Sequence, residues 1–104
     1  MILEIEILCP GRGVADRIAA HLLEARLIAC ANRTGPMVSF FRWKGEVQVE
    51  EEYALRVKTR PELADAVEAA VRDWHPYELP AILRQEVQAN ADYEAWVVEA
   101  TTAE

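Results

Sequence analysis

The stretch SFFRWKGEVQVEEEYALRVKT, residues 39–59, connects two long apolar segments of the chain through a two-residue turn. Lys44-Gly45 is a plausible tight turn, although a weaker one than Asn-Gly. We therefore predict a hairpin with a first strand ending at Trp43 and a second strand over residues 46–59. Fourteen extended residues span about 46 Å, whereas a compact chain of this length is about 33 Å across. The hairpin should overhang its own domain.

Before the hairpin, the hydrophobic period changes from that of a strand to that of a helix. The apolar alternation of a half-buried strand is carried by Leu3, Ile5, Ile7 and Cys9. Residues 14–26 then carry an apolar stripe at helical spacing. The next segment, residues 27–43, contains Gly35-Pro36, which a central strand would not tolerate. We expect this strand to be bulged, broken or at a sheet edge.

After the hairpin, the chain repeats the pattern of helix and strand. Residues 59–62, Thr-Arg-Pro-Glu, match a capping box with an early proline, so a second helix should begin there. Residues 80–88 predict a fourth strand and residues 93–100 a short closing helix. The order strand, helix, strand, strand, helix, strand is the split βαβ arrangement of a ferredoxin-like fold. We predict one α+β domain over residues 1–104, an antiparallel sheet with both crossover helices on one face.

The other face of this sheet should carry charges of both signs. If the apolar positions of the first strand face the helices, the open face carries Glu4, Glu6, Arg56, Lys58, Arg84 and Glu86. In an assembly whose sheets face inward, these side chains would form a partly buried ion-pair network.

Composition restricts the partners and the location. Eighteen acidic and eleven basic residues give a formal net charge of −7. Nucleic acids and anionic membranes select for clustered Lys and Arg, so we expect neither as a partner. The first residues show no basic region followed by an unbroken apolar run, so we expect no signal peptide and a cytoplasmic location. Cys9 and Cys30 do not form a disulfide framework and should be free thiols.

The segment Trp-His-Pro-Tyr-Glu-Leu-Pro, residues 74–80, is the main candidate for a binding site. Its prolines push the residues before them, His75 and Leu79, away from helical conformation. A stiff connector that carries an imidazole, a phenol and a carboxylate is where function often sits. We expect a cleft around His75, Tyr77 and Glu78.

Metal ligation is one possible use of these groups. Cys30 offers a soft thiolate and His75 an imidazole, a combination that suits copper or zinc better than magnesium. The chain has no paired Cys or His spacing, so a site needs residues that converge through the fold or from neighbouring subunits. The competing interpretations are a small core residue for Cys30 and a hydrogen-bonded hinge for His75.

Catalysis has less support. Ser39 and Thr59 have no evident neighbouring base, and no glycine-rich phosphate loop is present. We therefore expect a protein that is not an enzyme and that has no organic cofactor.

Six motifs together resemble the CutA divalent-cation-tolerance family in their order and spacing. They are LIACAN (27–32), SFFRWKGE (39–46), EEY (51–53), VKT (57–59), HPYELP (75–80) and YEAW (93–96). The resemblance implies a ferredoxin-like homotrimer, similar in assembly to PII signalling proteins and linked to tolerance of copper and other divalent metals.

Three functions remain open at this point. The first is a trimeric, metal-responsive protein that binds copper or another divalent metal, with Cys30 and His75 as ligands. The second is a PII-like module that binds a small polar ligand through Trp43, Lys58, Tyr77 and Glu78, in a cleft that a neighbouring subunit's hairpin closes. The third is a metal-independent assembly scaffold.

Overall fold

Strand, helix, strand, strand, helix, strand is the order of the main elements in the computed structural model, which describes residues 1–102. The elements are β1 (Ile2–Cys9), α1 (Arg12–Glu24), β2 (Cys30–Trp43), β3 (Glu46–Thr59), α2 (Ala64–Trp74), β4 (Ile82–Val87) and α3 (Ala91–Ala100), with a short 3-10 turn at Pro61–Leu63. No helix among these residues is long and apolar enough to cross a membrane.

The four strands form one antiparallel sheet in the order β2-β3-β1-β4. Ile5 and Ile7 of the central strand are fully buried, in one cluster with Ile18 of α1 and Val67 of α2. Both crossover helices therefore cover the same face of the sheet, which confirms the predicted ferredoxin-like α+β fold. The third helix contributes Val97 to a smaller, separate apolar cluster.

The hairpin has the predicted turn and an irregular edge strand. Trp43 pairs with Glu46, and both turn residues have positive φ, 51° at Lys44 and 84° at Gly45. The β2–β3 register shifts between Thr34 and Met37, around Gly35-Pro36. Because β2 lies at the sheet edge, the strand is both bulged and an edge strand.

The hairpin extends well past the rest of the sheet. The neighbouring strand β1 ends at Cys9, which pairs with Tyr53, so residues 46–52 of β3 have no partner on that side. The protein measures 46 × 24 × 21 Å along its principal axes. The predicted overhang is confirmed.

The predicted capping box is wrong. Thr59 is the last residue of β3, and its buried hydroxyl donates a hydrogen bond to the Leu27 carbonyl at 2.6 Å. The α-helix begins five residues later, at Ala64, without a side-chain cap. The Thr59 hydroxyl thus makes a tertiary contact and does not cap the helix.

The predicted facing of the fourth strand is also wrong. Arg84 pairs with Ile5 and Glu86 with Leu3, so both lie on the helix-covered side. Arg84 reaches α2, where its Nη2 lies 2.8 Å from Asp65 Oδ1 and 2.9 Å from Glu68 Oε1.

The open face keeps the other four predicted charges. Arg56 pairs with Glu6 at 3.0 Å, and Lys58 Nζ lies 3.8 Å from Glu4 Oε2.

Candidate ligand groove

A groove of about 920 Å³ lies between the overhanging hairpin and the connector that leads from α2 to β4. We call it the hairpin groove. Its lining residues are Leu8, Pro10, Ser39, Phe40, Phe41, Arg42, Trp43, Gln48, Glu50, Glu52, Pro76, Tyr77, Glu78, Leu79 and Ala81. Aromatic rings and carboxylates therefore share one concave surface.

Cross-strand register explains why these groups share a face. Ser39 pairs with Glu50 and Phe41 with Gln48, and the side chains of directly paired residues lie on the same side of a sheet. Successive residues alternate between the two sides, so Glu52 joins Glu50 on the groove side. The tight turn thus sets the composition of this wall.

His75 fixes the connector that forms the opposite wall. Its side chain is buried, with Nε2 2.7 Å from the Leu8 carbonyl oxygen. A carbonyl only accepts, so Nε2 carries the hydrogen, and Nδ1 accepts the Tyr77 N–H at 3.2 Å. Both ring nitrogens are therefore used within the chain, in the hydrogen-bonded hinge role considered above.

Tyr77 connects the two walls of the groove. Its hydroxyl donates to Glu52 Oε2 at 3.0 Å, and Glu52 is only 4% exposed. Burial, this hydrogen bond and the Glu52 charge raise the pKa of Tyr77 to about 12. Burial and the same carboxylate raise the pKa of the Cys9 thiol to about 11. The potential at this end of the sheet is negative.

The ammonium group of Lys44 lies at the rim of the groove. Lys44 Nζ lies 5.7 Å from the centroid of the Trp43 ring and 3.8 Å from Glu78 Oε2. Both charged groups are exposed, so this ion pair contributes little to stability.

Three of the four predicted ligand-contacting residues meet in this groove, and one does not. Trp43, Tyr77 and Glu78 line it. Lys58 lies on the open sheet face, with Nζ 2.6 Å from Asn32 Oδ1. The chain's own hairpin places Trp43 in the groove, and closure of the cleft by a neighbouring subunit's hairpin stays a prediction.

Cys30 and His75 are not brought together within one chain. Cys30 pairs with Lys58, which pairs with Glu4, whereas His75 contacts Leu8, four residues or about 13 Å further along β1. Within residues 1–102 no group of three His, Cys, Asp or Glu side chains is placed to hold a metal ion.

The Cys30 thiol has its own partner. Its Sγ lies 3.1 Å from the Tyr93 hydroxyl, and this hydrogen bond, together with burial, raises the pKa of Tyr93 to about 12. Cys30 is half-buried and Cys9 fully buried, and both are free thiols.

Sequence reasoning missed the acidic residues of the groove. A run of three glutamates, residues 50–52, is typical of a solvated or bulged strand edge, yet Glu52 is buried and Glu50 lines the groove. Alternation from the Lys44-Gly45 turn would have placed both carboxylates beside Phe41. The burial of Glu52 depends on Tyr77, which is distant in sequence.

The fold and groove define a ferredoxin-like domain with a long hairpin that projects from the sheet. Residues 4–100 match the family model described as CutA1 divalent ion tolerance protein. The chain belongs to the CutA1 divalent ion tolerance family.

Relatives and solved structures agree with this assignment. The divalent-cation tolerance protein CutA of Pyrococcus horikoshii is 36% identical over 88 residues, 84% of this chain and 85% of that protein. The mouse protein CutA is 35% identical over 96 residues, 91% of this chain. The chain spans only 54% of the length of the mouse and human relatives that it matches.

Two of the similar solved structures cover nearly the whole chain. The Archaeoglobus fulgidus protein, described as a periplasmic divalent cation tolerance protein, superposes with a TM-score of 0.94 at 35% identity, covering 98% of this chain and all of that one. The Thermus thermophilus protein gives a TM-score of 0.93 at 35% identity with the same coverage.

Proposed function

We propose that this chain acts in the divalent-cation tolerance response as a homotrimer whose hairpins form the contacts between chains. The observation that carries the proposal is an apolar surface on the side of the hairpin that faces away from the groove. Its exposed fractions are 61% for Val38, 74% for Phe40, 63% for Val47 and 58% for Val49. We call this surface the apolar hairpin face.

Register makes this surface continuous. Phe40 pairs directly with Val49, and Val38 and Val47 are the neighbouring positions on the same side. Contiguous apolar patches are uncommon on monomers and mark interaction sites. Contact with the hairpin of a neighbouring chain would remove these side chains from water. The family resemblance implies that three chains assemble.

Light scattering of the purified protein tests the assembly. A trimer has three times the chain mass of 11.7 kDa. The mass should be measured at micromolar protein concentration, because at higher concentration a weakly associating chain would also give a trimer mass. A monomer mass there would contradict the proposal.

Direct binding of copper or another divalent metal, with Cys30 and His75 as ligands, is a finer proposal. Metal ligation by His75 would require displacing either the Leu8 carbonyl or the Tyr77 N–H from its ring nitrogens. Within the described residues of one chain the donors do not fit a metal site. We therefore propose that Cys30 supplies the thiolate of a copper site that is completed across a contact between chains.

Copper titration of matched variants tests this site. Cys30→Ser should abolish tight copper binding, whereas Cys9→Ser, the other thiol, should leave it unchanged. His75→Ala reports on the imidazole, with the trimer mass measured for each variant. If copper binding survives in both Cys30→Ser and His75→Ala, these residues serve the fold alone.

The hairpin groove favours a second candidate, a PII-like module that binds a small polar ligand. Its volume of about 920 Å³ is in the range of small-molecule sites. Ser39 lines the groove, yet the described residues offer it no hydrogen-bonded base, so we infer binding and not catalysis.

A cytoplasmic location stays a prediction, which cell fractionation would test.

A further inference from the structure

We propose that the hairpin groove binds a linear diamine or polyamine, with ammonium groups on Glu50 and Glu52 and methylene groups against Phe41 and Trp43. The groove is lined by residues of one chain, and it shares only Phe40 with the apolar hairpin face and no residue with the proposed copper ligands.

The charges of the groove favour a cation. Its ionisable lining consists of Glu50, Glu52, Glu78, Tyr77 and Arg42. The Arg42 guanidinium donates to the Gly45 carbonyl at 3.2 Å, in the hairpin turn. Lys44 pairs with Glu78. Glu50 and Glu52 make no ion pair with any described residue, so both carboxylates lack a cationic partner, although Arg42 keeps its positive charge at the turn.

Glu52 is the stronger of these two anchors. Only 4% of its surface is exposed, and it lines the groove. Oε2 accepts the Tyr77 hydroxyl, while Oε1 accepts no hydrogen bond from residues 1–102. No fully buried side-chain oxygen among these residues lacks a partner, so Oε1 opens to the groove surface. An ammonium group in the groove would give this oxygen a charge-assisted donor. Burial and the charges of Glu52 and Glu50 also raise the pKa of Tyr77, consistent with a negative potential.

The spacing of the carboxylates fits a chain with two charges better than a single metal ion. Glu50 and Glu52 are two residues apart on one side of β3, about 7 Å along the strand. In 1,4-diaminobutane, four methylene groups hold the two ammonium groups at a distance comparable to this spacing. A divalent metal needs its oxygen ligands within one coordination sphere, and the described residues provide no such group.

The aromatic wall suits the rest of such a ligand. Phe41 and Trp43 stand on the same side of the hairpin as the two carboxylates. Lys44 already places an alkylammonium group 5.7 Å from the Trp43 ring and 3.8 Å from Glu78. At the rim, the chain's own lysine therefore makes the same contacts, with an aromatic ring and a carboxylate, that we propose for an ammonium group of the ligand.

Calorimetric titration of the full chain at low salt tests the proposal. The probes are 1,4-diaminobutane, spermidine, n-butylamine and Mg²⁺. We expect the diamine to bind about tenfold more tightly than the monoamine, because the second ammonium group adds a second charge-assisted contact. Mg²⁺, with the same charge as the diamine, should not displace it at equal concentration.

Three substitutions locate the site. Glu50→Gln and Glu52→Gln should each weaken diamine binding about fivefold. Glutamine retains an acceptor for the Tyr77 hydroxyl, and if Glu52→Gln fails to fold, the exposed Glu50 decides alone. Glu51→Gln is the matched control, since it removes the same charge from the opposite side of the strand.

Three results would overturn the proposal. They are equal weakening by Glu51→Gln, displacement of the diamine by an equal concentration of Mg²⁺, and equal affinity for the monoamine. Each would mean that the acidic surface only gathers counterions. The trimer mass, measured on the same samples, reports on the assembly separately.

Discussion

Buried polar side chains connect segments that are distant in sequence. Within residues 1–102 the buried polar residues are Glu52, Thr59, His75 and Thr101, and each makes a hydrogen bond. Thr59 binds the loop before β2, His75 binds the end of β1, and Glu52 binds the connector. Such bonds add little net energy when made, but leaving a buried partner unpaired is costly.

Thr59→Val should destabilise the fold by about 1–3 kcal/mol, because it leaves the Leu27 carbonyl without its donor at nearly unchanged volume. Urea unfolding followed by circular dichroism measures this loss. Thr59→Ser is the control that keeps the hydroxyl and removes only the methyl group. If Val is as stable as Thr, water or another donor replaces the bond.

Glu52→Gln should lower the pKa of Tyr77 from about 12 towards its ordinary value of 10.0, because the carboxylate charge is lost while burial remains. Ultraviolet titration of the tyrosinate band measures the change, and Tyr77→Phe identifies the transition among the three tyrosines. An unchanged Tyr77 transition in Glu52→Gln would mean that burial alone sets its pKa.

The same pKa makes stability depend on alkaline pH. Tyr77 keeps its proton in the folded chain at pH values where the unfolded chain has lost it. Its contribution is therefore complete below pH 10 and declines as pH rises from 10 to about 12. We expect Tyr77→Phe to show a weaker loss of stability across this range, in urea unfolding at fixed pH values.

At the scale of elements, the sequence predicted those strands whose pattern is local. Alternation in β1 and the turn at Lys44-Gly45 are properties of neighbouring residues, so β1 and β3 were placed correctly. The register of β4 was missed because the connector before it, and not its own six residues, sets which side each residue faces. The capping box failed because the Leu27 carbonyl takes the Thr59 hydroxyl.

The candidate site divides in the same way. Trp43, Tyr77 and Glu78 lie on the turn and the proline-bounded connector, which local sequence indicates. Lys58 lies elsewhere because it is six residues from Glu52, about 20 Å further along the same side of β3, near Asn32. No local pattern indicates that Glu52 is buried, since Tyr77 covers it from 25 residues away.

The β2 bulge should be sensitive to a side chain at Gly35. Its φ is +138°, and an added Cβ would lie 2.8 Å from Tyr53 Cδ2 and 3.1 Å from the Glu52 carbonyl oxygen. Gly35→Ala should therefore cost about 1–3 kcal/mol through backbone strain and steric overlap. Thermal unfolding measures the loss.

Gly11→Ala is the control for this substitution. A Cβ at Gly11 would meet nothing within 4 Å, and its backbone is extended. Gly11 is the N-cap of α1, where Gly is preferred to Ala, but Ala also restricts the unfolded chain. The net cost should therefore stay within about 0.5 kcal/mol. Equal melting temperatures for the two variants would show that β2 adjusts to the added methyl group.

At the scale of the whole molecule, the hairpin presents two surfaces with different chemistry. One side carries carboxylates and aromatic rings in the groove, and the other carries the apolar hairpin face. The period of two along β2 and β3 separates them. An assembly interface and a ligand site therefore use the same fourteen-residue strands, and Phe40 alone belongs to both surfaces.

Val49→Asp should dissociate the trimer, because it places a charge in the centre of the apolar hairpin face, where burial without a partner is costly. We expect light scattering at micromolar concentration to give the chain mass of 11.7 kDa in place of three times that value. Val98→Asp makes the same change at an exposed valine of α3, away from the hairpin, and should leave the trimer intact. Circular dichroism checks that both variants are folded. A Val49→Asp protein that keeps the trimer mass would move the interface away from the hairpin, to the open sheet face with its Arg56–Glu6 and Lys58–Glu4 pairs.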